Sequence, residues 1–123
     1  MSIFNIGKQF SDDPSGRFYS DTKKRSGEEF REVHFRSLLA ELKNNEKIIF
    51  ILDDGVEGYG SSFLTEGFAG IVTYGYMQAS ALKDKIDFKY DDDDFSFYKE
   101  KIIQYIDEAE FGSEKYISTR PAQ

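Results

Sequence analysis

The run Lys47-Ile48-Ile49-Phe50-Ile51-Leu52 constrains the fold of this chain more than any other segment. Its apolar residues are continuous rather than alternating, and turn-forming residues bound it on both sides. That is the pattern of a central β-strand covered on both faces. Such a strand needs helices packed against the sheet, so the expected class is α/β, with layers of helix and strand.

The remaining elements read outward from this strand. Ile3, Phe4 and Ile6 lead into Gly7 as a first strand, and Phe10 precedes the turn at 11–16. Arg17-Phe18-Tyr19 reads as a short second strand hairpinned onto the first. A helix starts at Ser26, with Glu29 placed to complete a capping box, and carries Phe30, Val33, Leu38, Leu39 and Leu42. His34 falls within that apolar face and is expected to be buried or half-buried with one hydrogen-bond partner. A second helix begins at Ser61 or Ser62 and carries Phe63, Leu64, Phe68, Ile71 and Val72. Gly67 and Gly70 lie inside it, at a cost of about 1 kcal/mol each against alanine. Their presence points to close approach of the helix backbone to the sheet or to a partner. Residues 86–90 alternate as a half-exposed strand, the acidic run 91–94 suits a helix start, and Phe95, Tyr98, Ile102, Tyr105, Ile106 and Ala109 follow at helical steps. The sequence therefore predicts a mixed sheet of about four strands and about three helices in one domain over 1–110. A loose tail is expected over 111–123.

Composition narrows the chemistry. The 123 residues include twelve Phe and eight Tyr, which suits a folded chain rather than a disordered one. Cysteine is absent, so disulfides and thiolate metal sites are excluded. No apolar run approaches the ~18 residues of a membrane span, and residues 1–5 lack a signal-peptide pattern. A cytoplasmic protein is expected. The net charge of −7 repels DNA, RNA and anionic lipid; it suits a basic partner surface or simply keeps the chain in solution. The one histidine has no nucleophile or orienting group marked out for it, so no catalytic residue, metal or cofactor is expected.

The glycine-rich segment Asp53-Asp54-Gly55-Val56-Glu57-Gly58-Tyr59-Gly60-Ser61-Ser62 leaves the end of the buried strand and enters a helix, where α/β folds commonly bind. No lysine follows the glycines, so it is not a phosphate-binding Walker loop, and Asp53, Asp54 and Glu57 would repel a nucleotide. It is expected to bind a protein instead, through Asp54, Glu57, Gly58, Tyr59, Gly60, Ser61, Ser62 and Phe63. Gly58 and Gly60 would supply unusual backbone angles, and Tyr59 a contact hot spot; the rival reading is that Tyr59 packs inward and the glycines only shape a turn. Ser61 and Ser62 are either a helix cap or phosphoacceptors.

Three segments carry a resemblance: Pro14-Ser15-Gly16-Arg17, Ser26-Gly27-Glu28-Glu29-Phe30-Arg31, and Asp54 to Phe68 with its Gly-Tyr-Gly-Ser-Ser-Phe-Leu centre. Together they resemble the STAS-like domain family of unknown function, related to bacterial anti-sigma factor antagonists, over about residues 3–110. The resemblance implies a sheet of about four strands packed with helices. It also implies partner switching on a GHKL-type serine kinase that otherwise holds a sigma factor. By position, Ser62 matches the serine phosphorylated in such antagonists and Ser61 the serine before it. Gly60 stands where their motif has Asp, and Phe63 where it has Gly. The alternative to this regulatory module is a small acidic inhibitor or decoy, for example a phage-encoded, anti-CRISPR-like protein, covering a basic surface of a nucleic-acid-binding partner.

Overall fold

The apolar run does form the central strand. The structure is a computed structural model that describes residues 2–21 and 25–120. Strands β1 (Ser2–Asn5), β2 (Ile48–Ile51) and β3 (Ile86–Lys89) form one parallel sheet in the order β1-β2-β3. In register, Phe4 stands beside Phe50 and Phe50 beside Phe88. The single turn α1 (Ile6–Gln9) and the helix α2 (27–41) connect β1 to β2. Helix α3 (61–73) and α4 (Ala79–Lys85) connect β2 to β3, and α5 (Ser96–Glu108) follows.

The α/β class holds, but the sheet has three parallel strands where about four, mixed, were expected. The hairpin partner at 17–19 is not a strand. Its backbone is occupied elsewhere: the carbonyls of Gly16 and Arg17 accept from the N–H groups of Gly27 and Glu28 at 3.1 and 2.9 Å. These are donors that the first turn of α2 cannot satisfy internally. A 3₁₀ turn at Tyr19–Asp21 follows instead. Helix α4 was not foreseen, because Leu82 is its one buried residue and so leaves no periodic signal.

Ser26 caps α2 as its position suggests, with its hydroxyl accepting from Glu29 N at 3.1 Å. The reciprocal arm of the box is absent from that bond: the Glu29 carboxylate takes Arg25 at 2.7 Å. The middle of α2, Phe30–Phe35, is wound as a wider π-type helix, and so is Thr65–Ala69 in α3. The wider turn brings Phe30 and Phe35, five apart, into the core together, while Val33 is exposed and Leu38, Leu39 and Leu42 are only half-buried. A 3.6-residue period misses this set.

The helices cross at Gly27 and Gly67. A Cβ on Gly27 would lie 2.7 Å from the Phe63 carbonyl oxygen, and one on Gly67 would lie 3.0 Å from the Phe30 ring. The close approach is thus between helices, not against the sheet. Beneath the crossing, Phe50 meets Phe35 and Phe68 edge-on, each at 5.2 Å between centroids. Ile102 and Ile106 of α5 are buried against α3.

Among the described residues, helices cover one face of the sheet. The other carries Ile3, Ile49 and Ile51 among Asn5, Asp87 and Lys89, and Ile3 is 58 % exposed. The continuous run predicts a strand buried on both sides. Instead, Ile49 and Ile51 are half-shielded by the strands flanking them. Among the described residues no helix is long and apolar enough to cross a membrane.

Candidate interaction site

The 53–62 segment runs along the edge of the sheet where the parallel strands end. Asp53 opens it, and its Oδ2 accepts from the backbone N–H groups of Asp91 and Asp92 at 2.8 Å each. Asp54 accepts from Asn5 Nδ2 at 2.7 Å and lies 3.8 Å from Lys8 Nζ. Its backbone presses on Gly7, where a Cβ would fall 1.9 Å from the Asp54 carbonyl oxygen. Gly55 takes the left-handed turn, with φ 78°. Asp54, Glu57 and all of Asp91, Asp92, Asp93 and Asp94 are exposed, so one rim of the molecule is strongly acidic.

Several residues expected at the contact are placed otherwise. Tyr59 is 8 % exposed, with its hydroxyl donating to the Leu52 carbonyl at 2.7 Å and its ring against Phe63 and Tyr98. The end of β2 needs a donor there, and Tyr59 supplies it; burial, reinforced by Asp53 and Tyr98, pushes the phenol pKa up. It is a structural pin rather than a surface hot spot. Phe63 is fully buried in the aromatic core. Gly60 has ordinary extended angles (φ −72°, ψ 139°), so unusual backbone geometry is not its role. It sits against Ser15, with its N–H donating to the Pro14 carbonyl at 3.1 Å. Gly58 leaves room for the Tyr98 hydroxyl, which a Cβ would meet at 2.5 Å.

Ser61 and Ser62 are exposed. Gly60 is the cap residue of α3, and no side chain caps that end. The two serines are the first residues of the helix itself, so the capping explanation for them does not apply. The surface that remains is Asp54, Glu57, Ser61 and Ser62, with Gly58 and Gly60 half-buried between them.

His34 is half-buried as expected, with Nε2 3.3 Å from Arg25 Nη2 and its ring against Phe4 and Phe10. Burial lowers its pKa, Arg25 lowers it further, and Glu29 opposes. Among the described residues no group of three His, Cys, Asp or Glu is gathered to hold a metal ion.

A second constellation escaped sequence reasoning. Arg31 is fully buried between the π-type segments of α2 and α3. Its Nη1 donates to the carbonyl and carboxylate of Glu66 at 2.8 and 2.7 Å, and its Nε to Glu32 at 2.7 Å. Arg17 and the Tyr74 hydroxyl also donate to Glu66, at 2.8 and 2.6 Å. The Arg31 guanidinium lies 4.5 Å from the Tyr74 ring centroid and 4.9 Å from that of Tyr116, and its buried Nη2 has no hydrogen-bond partner among the described residues. The signal that would have found this seam is position: Glu66 sits inside the apolar stripe between Phe63 and Phe68, and Arg31 follows Phe30.

Residues 111–120, expected to be loose, are tied down. Gly112 N and Glu114 N donate to the carbonyls of Val72 and Thr73, while Tyr116 and Thr119 reach Glu28. Polar contacts, which leave no mark in hydrophobic periodicity, make this attachment. No protein-family model matches this chain, and neither a curated protein nor a solved structure matches it.

Proposed function

We propose that this chain is a non-enzymatic interaction module that engages a protein partner through the rim where its parallel strands end. The observation that carries this reading is the exposure of Ser61 and Ser62 on the first turn of α3, with Gly60 as cap and Tyr59 and Phe63 anchored below. A base of buried side chains presenting two exposed serines near Asp54 and Glu57 suits a surface that is read by charge. Phosphorylation of Ser62 would add a charge of about −2 there, favoured by the helix dipole and opposed by the nearby carboxylates. The resemblance to anti-sigma factor antagonists agrees with this use of Ser62 and names a GHKL-type serine kinase as the class of partner. The setting would be cytoplasmic.

A second reading is favoured by the clustering of Asp54, Glu57 and Asp91 to Asp94 on the same rim. An acidic decoy covering a basic, nucleic-acid-binding surface would use those charges directly. Capture of partners from the host, followed by calorimetry with Ser62→Asp and with Asp54→Lys/Glu57→Lys, tests both. The switch reading expects Ser62→Asp to weaken binding at least tenfold. The decoy reading expects it to be tolerated, while the charge reversal abolishes binding and affinity falls steeply with salt. Unchanged affinity in both variants would exclude the rim.

A further inference from the structure

The C-terminal segment lies over the polar seam without joining the core. Gly112, at φ 65°, packs against Gly75 and turns the chain back from α5 toward α2. Beyond it, the Tyr116 ring packs on Tyr74 and on the Arg31 guanidinium. The Tyr116 hydroxyl donates to Glu28 Oε2 at 2.5 Å. Thr119 gives the same carboxylate its backbone N–H at 3.0 Å and its hydroxyl at 2.5 Å, and its Oγ1 accepts from Ser20 N at 3.2 Å. Glu28 itself is fully buried and also accepts from Tyr19 N at 3.1 Å. The apolar side chains of the segment add little: Phe111 is 49 % exposed and Ile117 75 % exposed. Two backbone hydrogen bonds, from Gly112 and Glu114 to Val72 and Thr73, start the segment, and beyond them its side-chain attachment converges on the Glu28 carboxylate and an aromatic stack. Hydrogen bonds to a charged acceptor are strong and geometrically selective, and an extended backbone read through a few side chains is how peptide grooves work.

We propose that the surface formed by Tyr19, Glu28, Arg31 and Tyr74 is a peptide-docking groove. Glu28 keys it to an extended segment with a tyrosine followed, three positions on, by a threonine. The chain's own tail fills it in cis and yields to a partner segment of the same pattern. This goes beyond the rim reading and uses none of its residues.

The test uses the full chain and a fluorescent peptide of residues 110–123. In the Tyr116→Phe/Thr119→Val chain the groove is intact and its own tail is weakened. Trypsin should then cut after Lys115 at least tenfold faster than in the wild type, with the melting midpoint of the body unchanged. The peptide should bind this variant at least tenfold more tightly than the wild type, whose tail competes. Adding Glu28→Gln should remove that binding, and a peptide carrying Phe and Val at the two positions should fail even where Glu28→Gln does not fold. Equal binding of both peptides, an unchanged cleavage rate, or loss of the melting midpoint in step with tail release would each overturn the proposal.

Discussion

Helices α2 and α3 present two opposite sides at their crossing. Toward the sheet, Phe30, Phe35 and Phe68 close on Phe50, and Phe63 packs on Phe30. On the far side, within a helical turn, Arg31 and Glu66 are buried just as deeply and are held by paired charges and the Tyr74 hydroxyl. The dry side gains from every apolar atom removed from water and tolerates imperfect geometry. The ionic side must match desolvation with exact partners, so it specifies how the helices meet rather than adding much stability.

Breaking the dry side should cost most. Phe30→Ala is expected to lose about 3–5 kcal/mol in urea denaturation, because Phe30 touches six other aromatic rings of the core and the cavity cannot collapse easily. On the ionic side, Glu66→Ala should lose about 3 kcal/mol by stripping the buried Arg31 of one of its two carboxylate partners and leaving Glu32 to balance it alone. The comparison sharpens with the joint replacement Arg31→Met/Glu66→Leu. If the seam gives specificity rather than stability, the pair together should cost far less than Glu66→Ala alone; an equal cost would show that the ion pair stabilises outright. Ser26→Ala, at the entry to α2, should lose about 1 kcal/mol through the missing cap.

How much of this contrast could be read beforehand follows from the chemistry of each side. Apolar residues announce themselves by spacing, and β2, the cap at Ser26 and the apolar face of α3 were legible for that reason. The count of strands was not, because the carbonyls of Gly16 and Arg17 serve α2 instead of a ladder. Phe35 was missed because a π-type turn changes the period. Arg31, Glu66 and Glu28 were missed because charged residues look the same in a sequence whether solvated or buried. At the rim, the place was legible and the orientations were not: Tyr59 and Phe63 turn inward, while Ser61 and Ser62 face out.

His34 gives a weaker, pH-dependent test. Its pKa is lowered on folding, so the unfolded chain binds the proton more readily. Stability from this site is complete above the ordinary histidine pKa of about 6.5. It falls as the pH drops below that value and levels off once the folded state is also protonated. Denaturation between pH 7.5 and 5 should show a slope that His34→Gln flattens. The smallest effect belongs to the rim: Ser62→Asp should move the melting midpoint by less than about 0.5 kcal/mol equivalent, as an exposed first-turn substitution does, whatever it does to a partner.

The register of the sheet has a consequence for synthesis. Ser2 pairs with Ile48, and Ile48 with Ile86, so no strand has a neighbour nearby in the chain. Closing such loops is slow compared with winding a helix. On the ribosome β1 emerges first and must wait, with Phe4 uncovered, until β2 has cleared the exit tunnel. The newborn chain spends that interval with its most apolar segments open to chaperones, and refolding in vitro should run in milliseconds to seconds rather than microseconds.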